Sequence, residues 1–118
     1  VSEDIEVLKH KAVHKGELCF EGLYIDKRKR IVVRKKNEID LTYTEFEILL
    51  LLAQNAGIIF SKEQIYEAVF GYDGTADDTA VTQHIKNIRA KLRTAGVAAP
   101  ETVLKTIWGV GYQWKSET

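Results

Sequence analysis

Apolar residues recur along this chain with two different periods, and the change of period divides it. Between residues 17 and 41, short apolar runs at 18–20, 23–26, 31–34 and 38–41 alternate with turn signals at Glu21-Gly22, residues 27–30 and Lys36-Asn37. That pattern predicts four short antiparallel strands. From Thr42 the period becomes helical. Thr42-x-x-Glu45 and Ser61-x-x-Gln64 are capping boxes, each able to satisfy the orphan amides of a first helical turn. Phe46, Leu49, Leu50 and Ala53 recur at i, i+3, i+4 and i+7 and predict one buried stripe, with Gly57 as the stop. Ile65 and Val69 are the inward residues of a second helix that ends before Gly71, and residues 58–60 between the two read as a bridging strand. A third helix, residues 78–95, begins at Asp77 or Asp78, either of which can cap it. Its stripe is Val81, Ile85, Ile88 and Leu92; Gly96 ends it and Pro100 prevents its resumption. A hairpin, residues 103–114, closes the chain around a turn at 108–111.

Composition bounds this picture without changing it. A chain of 118 residues, 45% hydrophobic and 29% charged, suits one globular domain. No apolar run approaches membrane-spanning length, and no secretory signal opens the chain. The single cysteine, Cys19, excludes an internal disulfide, fits a reducing compartment and reads as a packed thiol. There is no methionine, as expected of a piece of a longer protein. Residues 1–16 show no sustained period and read as a linker or the tail of a preceding domain, and residues 116–118 as a short tail. His10 and His14 stand four apart, but a structural zinc site needs four ligands; no metal is expected.

Charge alters the picture more. The formal net charge is zero, yet the distribution is uneven. Lys27, Arg28, Lys29, Arg30, Arg34, Lys35 and Lys36 crowd one stretch with no acid among them, and Lys86, Arg89, Lys91 and Arg93 another. The Lys27-Arg28-Lys29-Arg30 run of the first cluster reads chiefly as a hairpin tip kept in water, with a localisation or nucleic-acid patch as the alternative. The second lies on the third helix. At 100° per residue, with the apolar stripe inward, Thr79, Gln83, Lys86, Asn87 and Ala90 face outward; Arg89 and Arg93 flank them on one side and Lys91 on the other. Amides can bond adenine bidentately, Lys can bond guanine acceptors, and a small methyl can meet thymine, so the inventory suits a major groove. Arg89 and Arg93 are placed to meet phosphate, as are Lys105 and Thr106 of the hairpin. Trp108 has two readings, a contact with DNA sugar or a place in the core; the expectation leans to packing. Gly109 and Gly111 are assigned to turn geometry. No Gly-rich phosphate loop, metal cluster or nucleophile–base pair supports an enzyme, and no cofactor is implied.

These segments together resemble a known family. Leu41-Thr42-Tyr43-Thr44-Glu45-Phe46-Glu47-Ile48-Leu49 is similar to its LTxxEFxLL opening; Asn55-Ala56-Gly57, Phe60-Ser61-Lys62-Glu63-Gln64-Ile65 and Val69-Phe70-Gly71 to its second-helix segment. His84-Ile85, Ile88-Arg89 and Lys91-Leu92 resemble its recognition helix, and Lys105-Thr106-Ile107-Trp108-Gly109-Val110-Gly111-Tyr112 its wing. The family is the OmpR/PhoB-type winged-helix effector domain of bacterial two-component response regulators, and the resemblance covers about residues 17–115. It implies an α+β winged helix-turn-helix: a four-stranded antiparallel N-terminal sheet, three helices and a C-terminal β-hairpin wing. It implies a cytoplasmic, sequence-specific DNA-binding domain that controls transcription, with the third helix in the major groove and the wing near the minor groove. Gln83, Lys86 and Asn87 would contact bases; Thr79, His84, Arg89, Arg93, Lys105 and Thr106 the backbone; Trp108, Gly109, Gly111 and Tyr112 would build the wing. The loop Phe70-Gly71-Tyr72-Asp73-Gly74-Thr75-Ala76-Asp77-Asp78 would touch RNA polymerase. A receiver domain, phosphorylated through a cognate histidine kinase, would precede residue 17, joined by the linker. The isolated domain would be a monomer that binds tandem direct repeats as a head-to-tail dimer. Thr79, Asn87 and Trp108 stand where many members carry arginine, and Thr82 where many carry an acid. A winged helix reused for protein interaction is the alternative.

Overall fold

The computed structural model describes residues 17–20, 22–71 and 78–116. The linker at residues 1–16, the Glu21 turn position, the loop at 72–77 and the last two residues lie outside that range. Four strands form an antiparallel meander: β1 (Glu17–Phe20), β2 (Leu23–Asp26), β3 (Ile31–Arg34) and β4 (Asn37–Ile39), in that spatial order. Register pairs Phe20 with Leu23, Ile25 with Val32 and Val32 with Ile39, so all five side chains stand on one face and are buried in the core. The β2–β3 turn is built by Asp26. Its buried carboxylate accepts the backbone N–H groups of Arg28 and Lys29 at 2.9 and 3.0 Å. Lys27, Arg28 and Lys29 stay in water, whereas the Arg30 guanidinium lies over the rings of Tyr43 (4.3 Å) and Phe46 (4.6 Å) and bonds Glu47 at 2.6 Å.

Both capping boxes form. In α1 (Tyr43–Gln54) the Glu45 amide donates to Thr42 Oγ1 at 3.2 Å and the Thr42 amide to Glu45 Oε1 at 3.0 Å. In α2 (Lys62–Phe70), Ser61 and Gln64 do the same at 3.0 and 2.8 Å. The buried face of α1 is broader than the expected stripe. Phe46, Ile48, Leu49 and Leu52 are buried, whereas Leu50 and Ala53 are only half-buried. The run Phe46-Glu47-Ile48-Leu49-Leu50-Leu51-Leu52-Ala53 is apolar almost all round, and α1 packs against α2, α3 and β7, so several stripes compete. The third helix, α3 (Thr79–Thr94), buries Val81, Ile85, Ile88 and Leu92 as its period requires. Its capping differs from expectation. Asp78 stands at the N-cap in helical conformation and its side chain caps nothing, while Asp77 lies outside the described residues.

The third helix does not resume beyond Gly96, and Pro100 instead starts a separate helix. It is the first residue of a single turn, α4 (Pro100–Val103), where its missing N–H would have had no partner anyway. Val103 accordingly belongs to that turn, and β6 (Leu104–Ile107) begins one residue later than expected. The second sheet has the order β5-β7-β6, with β5 (Ile59–Phe60) and β7 (Gly111–Trp114). The short bridging strand pairs Ile59 with Gln113 and Phe60 with Tyr112, fixing the end of the chain to the segment between α1 and α2. Trp114 is 1% exposed and meets Phe20 edge-on at 5.6 Å, joining the two sheets. No helix among the described residues is long and apolar enough to cross a membrane.

Candidate nucleic-acid interface

The outer face of α3 carries Thr79, Gln83, Lys86, Ala90 and Arg93 in water, with Asn87 half-buried among them. Gln83 Nε2 donates to Asn87 Oδ1 at 3.0 Å, as expected of residues one helical turn apart. That bond orients Asn87 and leaves its amide hydrogens and a second lone pair for another partner. The face therefore presents a pre-aligned amide pair beside one ammonium, Lys86.

Arg89 points elsewhere. Its Nε and Nη2 donate to the Leu104 carbonyl at 3.0 and 2.6 Å, Nη2 also reaches Thr106 Oγ1 at 2.8 Å, and its guanidinium carbon lies 5.9 Å from the Tyr112 ring centre. Burial lowers its pKa from the ordinary arginine value, yet guanidinium remains the charged form at any pH the fold experiences. Arg89 and Thr106, both expected at phosphate, are thus bonded to each other and tie α3 to β6. Thr82 Oγ1 and the Tyr112 hydroxyl, 3.4 Å apart, add a second link. Arg93 bonds Glu101 of α4, and that bond holds the Glu101 carboxyl below its usual range. Lys105 is exposed.

His84 sits on the other flank of α3, half-buried. Its ring centre is 6.4 Å from that of Phe70, and its Nδ1 is buried without a partner among the described residues. The same flank holds Lys91, whose Nζ bonds Glu45 Oε1 at 2.6 Å. Burial pushes the Glu45 carboxyl up, but the hydrogen bonds from Lys91 and the Thr42 amide outweigh it and leave the group below the ordinary carboxylate range. Sequence reading recognised Glu45 as half of a capping box and Lys91 as a flanking cation; no periodicity could pair residues so far apart. Of the loop expected to touch polymerase, Phe70, Gly71 and Asp78 are described, and Phe70 is exposed with its ring centre 4.7 Å from that of Tyr66.

The wing corrects two readings. Trp108 does not pack: it is 89% exposed at the tip, and the core indole is Trp114. Gly109 fits the turn reading, with φ at 78°, but Gly111 is required for a different reason. A Cβ at position 111 would stand 2.0 Å from the Phe60 carbonyl oxygen, so the backbones themselves touch. Lys62, missed by sequence reading, is brought beside the tip by the β5–β7 pairing. No cluster of residues suited to a metal ion occurs among the described residues.

A profile of the family described as "Transcriptional regulatory protein, C terminal" matches residues 36–114. The chain belongs to this family. Among curated relatives, the transcriptional regulatory protein SpaR of Bacillus subtilis is 36% identical over 102 residues, covering 86% of this chain and 44% of that protein. The regulatory protein VanRB of Enterococcus faecalis is 50% identical over 76 residues, covering 64% and 31%. The chain thus spans less than half the length of these relatives. Of solved structures, the Klebsiella pneumoniae RstA DNA-binding domain in complex with the RstA box superposes with a TM-score of 0.74 at 27% identity, covering 86% of this chain and 98% of that one. The DNA-binding domain of CpxR from E. coli gives 0.72 at 31% identity with the same coverage. The family's winged-helix architecture, with its N-terminal four-stranded sheet and C-terminal hairpin, is that of this chain.

Proposed function

We propose that this chain is the sequence-specific DNA-binding effector domain of a two-component response regulator, with α3 entering the major groove and the β6–β7 wing lying near the minor groove. The observation that carries the reading is the outer face of α3, where exposed Gln83 and Lys86 flank a half-buried Asn87 that Gln83 orients, opposite a fully buried apolar stripe. Asn87, buttressed by Gln83, reads adenine, and Lys86 reads guanine. Thr79, His84, Arg93 and Lys105 hold the backbone. Arg89 and Thr106 act there as one unit, because each is bonded to the other. Family membership and the likeness to DNA-binding domains support this reading.

In the same proposal, a receiver domain and its histidine kinase govern the domain in a bacterial cytoplasm. The chain is a monomer alone and a head-to-tail dimer on tandem direct repeats, and the segment at 70–78 meets RNA polymerase. Selection from a random duplex library, followed by footprinting with the phosphorylated full-length protein, tests the reading. Asn87→Ala should flatten discrimination at one or two base pairs by roughly 1–3 kcal/mol; an unchanged selection profile would assign base reading to other residues. Salt-independent binding, or no affinity for any duplex, would favour a protein-interaction module instead.

A further inference from the structure

From Thr106 to Gly111 the wing reads Thr-Ile-Trp-Gly-Val-Gly, with no charge. Trp108 is 89% exposed and Val110 57%. An indole buried in full is among the largest apolar contributions a side chain can make, so leaving one in water is informative where a lone exposed leucine is not. The core has no unmet need for it, since Trp114 fills that role.

The exposed tip is also firmly aimed. β7 touches the Phe60 carbonyl at Gly111, too closely for any side chain there. Arg89 fixes β6 to α3 through Leu104 and Thr106. A cleft of about 390 Å³ opens beside the tip, lined by Lys62, Glu63, Ile107, Trp108 and Val110. A mobile aromatic would lose much of its binding energy to ordering; one on a braced hairpin loses little.

Resting on the DNA-binding reading, we infer that Trp108, backed by Val110, is the contact the wing's tip makes with DNA, and that this contact is apolar. The indole lies against the deoxyribose faces that line the minor groove. An uncharged tip has no ion pair to make with phosphate, and the sugars are the apolar surface a duplex backbone offers. The tip is continuous with the recognition face through the Arg89–Thr106 bond. Because no counterion leaves when indole meets sugar, this part of the affinity does not depend on salt.

The two tryptophans make the test direct. In the free chain, acrylamide should quench Trp108 and spare Trp114. Addition of duplexes selected by this chain from a random library should shield Trp108. Trp108→Ala should lower affinity about tenfold, as for loss of one aromatic contact, with the slope of log K against log salt unchanged. Trp108→Arg should recover part of the affinity and steepen that slope by about one. The substitutions lie in water, so they leave folding intact. The inference is overturned if Trp108 stays equally quenchable in the complex, or if Trp108→Ala either flattens the slope or leaves affinity unchanged. If Trp108 is shielded without DNA in a sedimenting dimer that Trp108→Ala dissociates, the tip is a protein contact and the inference falls. A wild-type chain that binds no duplex at any salt overturns the DNA reading and this inference together, an outcome distinct from the others.

Discussion

The recognition helix and the wing face outward side by side, but they are built on opposite principles. The helix hides its apolar residues and shows amides and charge; the wing's tip shows Trp108 and Val110 and carries no charge. They are also anchored differently. α3 is held by four buried aliphatic side chains and one ion pair to α1, so its position is set by packing. The wing buries Leu104, Tyr112 and Trp114 at its base, but its tip is aimed through backbone: a strand pairing, a carbonyl in contact with Gly111, and one guanidinium donating to Leu104. A surface that reads by hydrogen bonds tolerates changes of side chain one at a time. A surface that works by shape depends on the path of the main chain.

That difference can be broken at its strongest point by Gly111→Ala. A methyl group 2.0 Å from a backbone oxygen cannot be accommodated by rotating a side chain. The expected loss is about 3 kcal/mol, at the upper end for overpacking. In amide exchange, β5, β6 and β7 should lose protection before α3 does; uniform loss would mean that helix and wing form one cooperative unit.

Lys91→Met attacks the helix anchor and should cost about 2 kcal/mol at neutral pH, less than a fully enclosed pair because Lys91 is partly exposed. The sign of its pH dependence follows from Glu45, whose carboxyl is lowered in the folded state. Its contribution is present above the unfolded value of about 4.3 and disappears as pH falls through the folded value. Urea melts of wild type and variant should therefore converge in acid. A constant gap from neutral to acid pH would show that lost packing, not the ion pair, accounts for the cost.

Lys86→Ala sharpens the contrast at the smallest scale. Stability should stay within about 0.5 kcal/mol, as for an exposed substitution, while the salt slope of DNA binding falls by about one. An unchanged slope would place Lys86 away from the polyanion.

Much of this arrangement is legible in the sequence, and what is not shares a cause. Both capping boxes and the α3 stripe depend on residues that recur within a turn or so of one another along one helix, and local pattern located them. Trp108 and Trp114 are both aromatic positions in one hairpin, and only the pairing of β7 with β5 decides that Trp114 meets Phe20 while Trp108 meets water. Gly111 looks like a turn residue until Phe60 arrives from the other side of three helices. The expectation that Arg89 faces phosphate followed correctly from its angle on the helix. The wheel has no term for a carbonyl on β6 within reach of that side chain. In α1 the failure was excess, because the nearly continuous apolar run from Phe46 to Ala53 offers several stripes.

The pairing of residues 59 and 60 with 113 and 112 also bears on how the domain folds. The first four strands meet their neighbours across turns of a few residues, and such local contacts close quickly. The wing sheet must wait for a loop containing α2, α3 and α4 to close, which carries a larger entropy cost before any contact repays it. The helices that frame the reader can therefore assemble before the wing sheet closes.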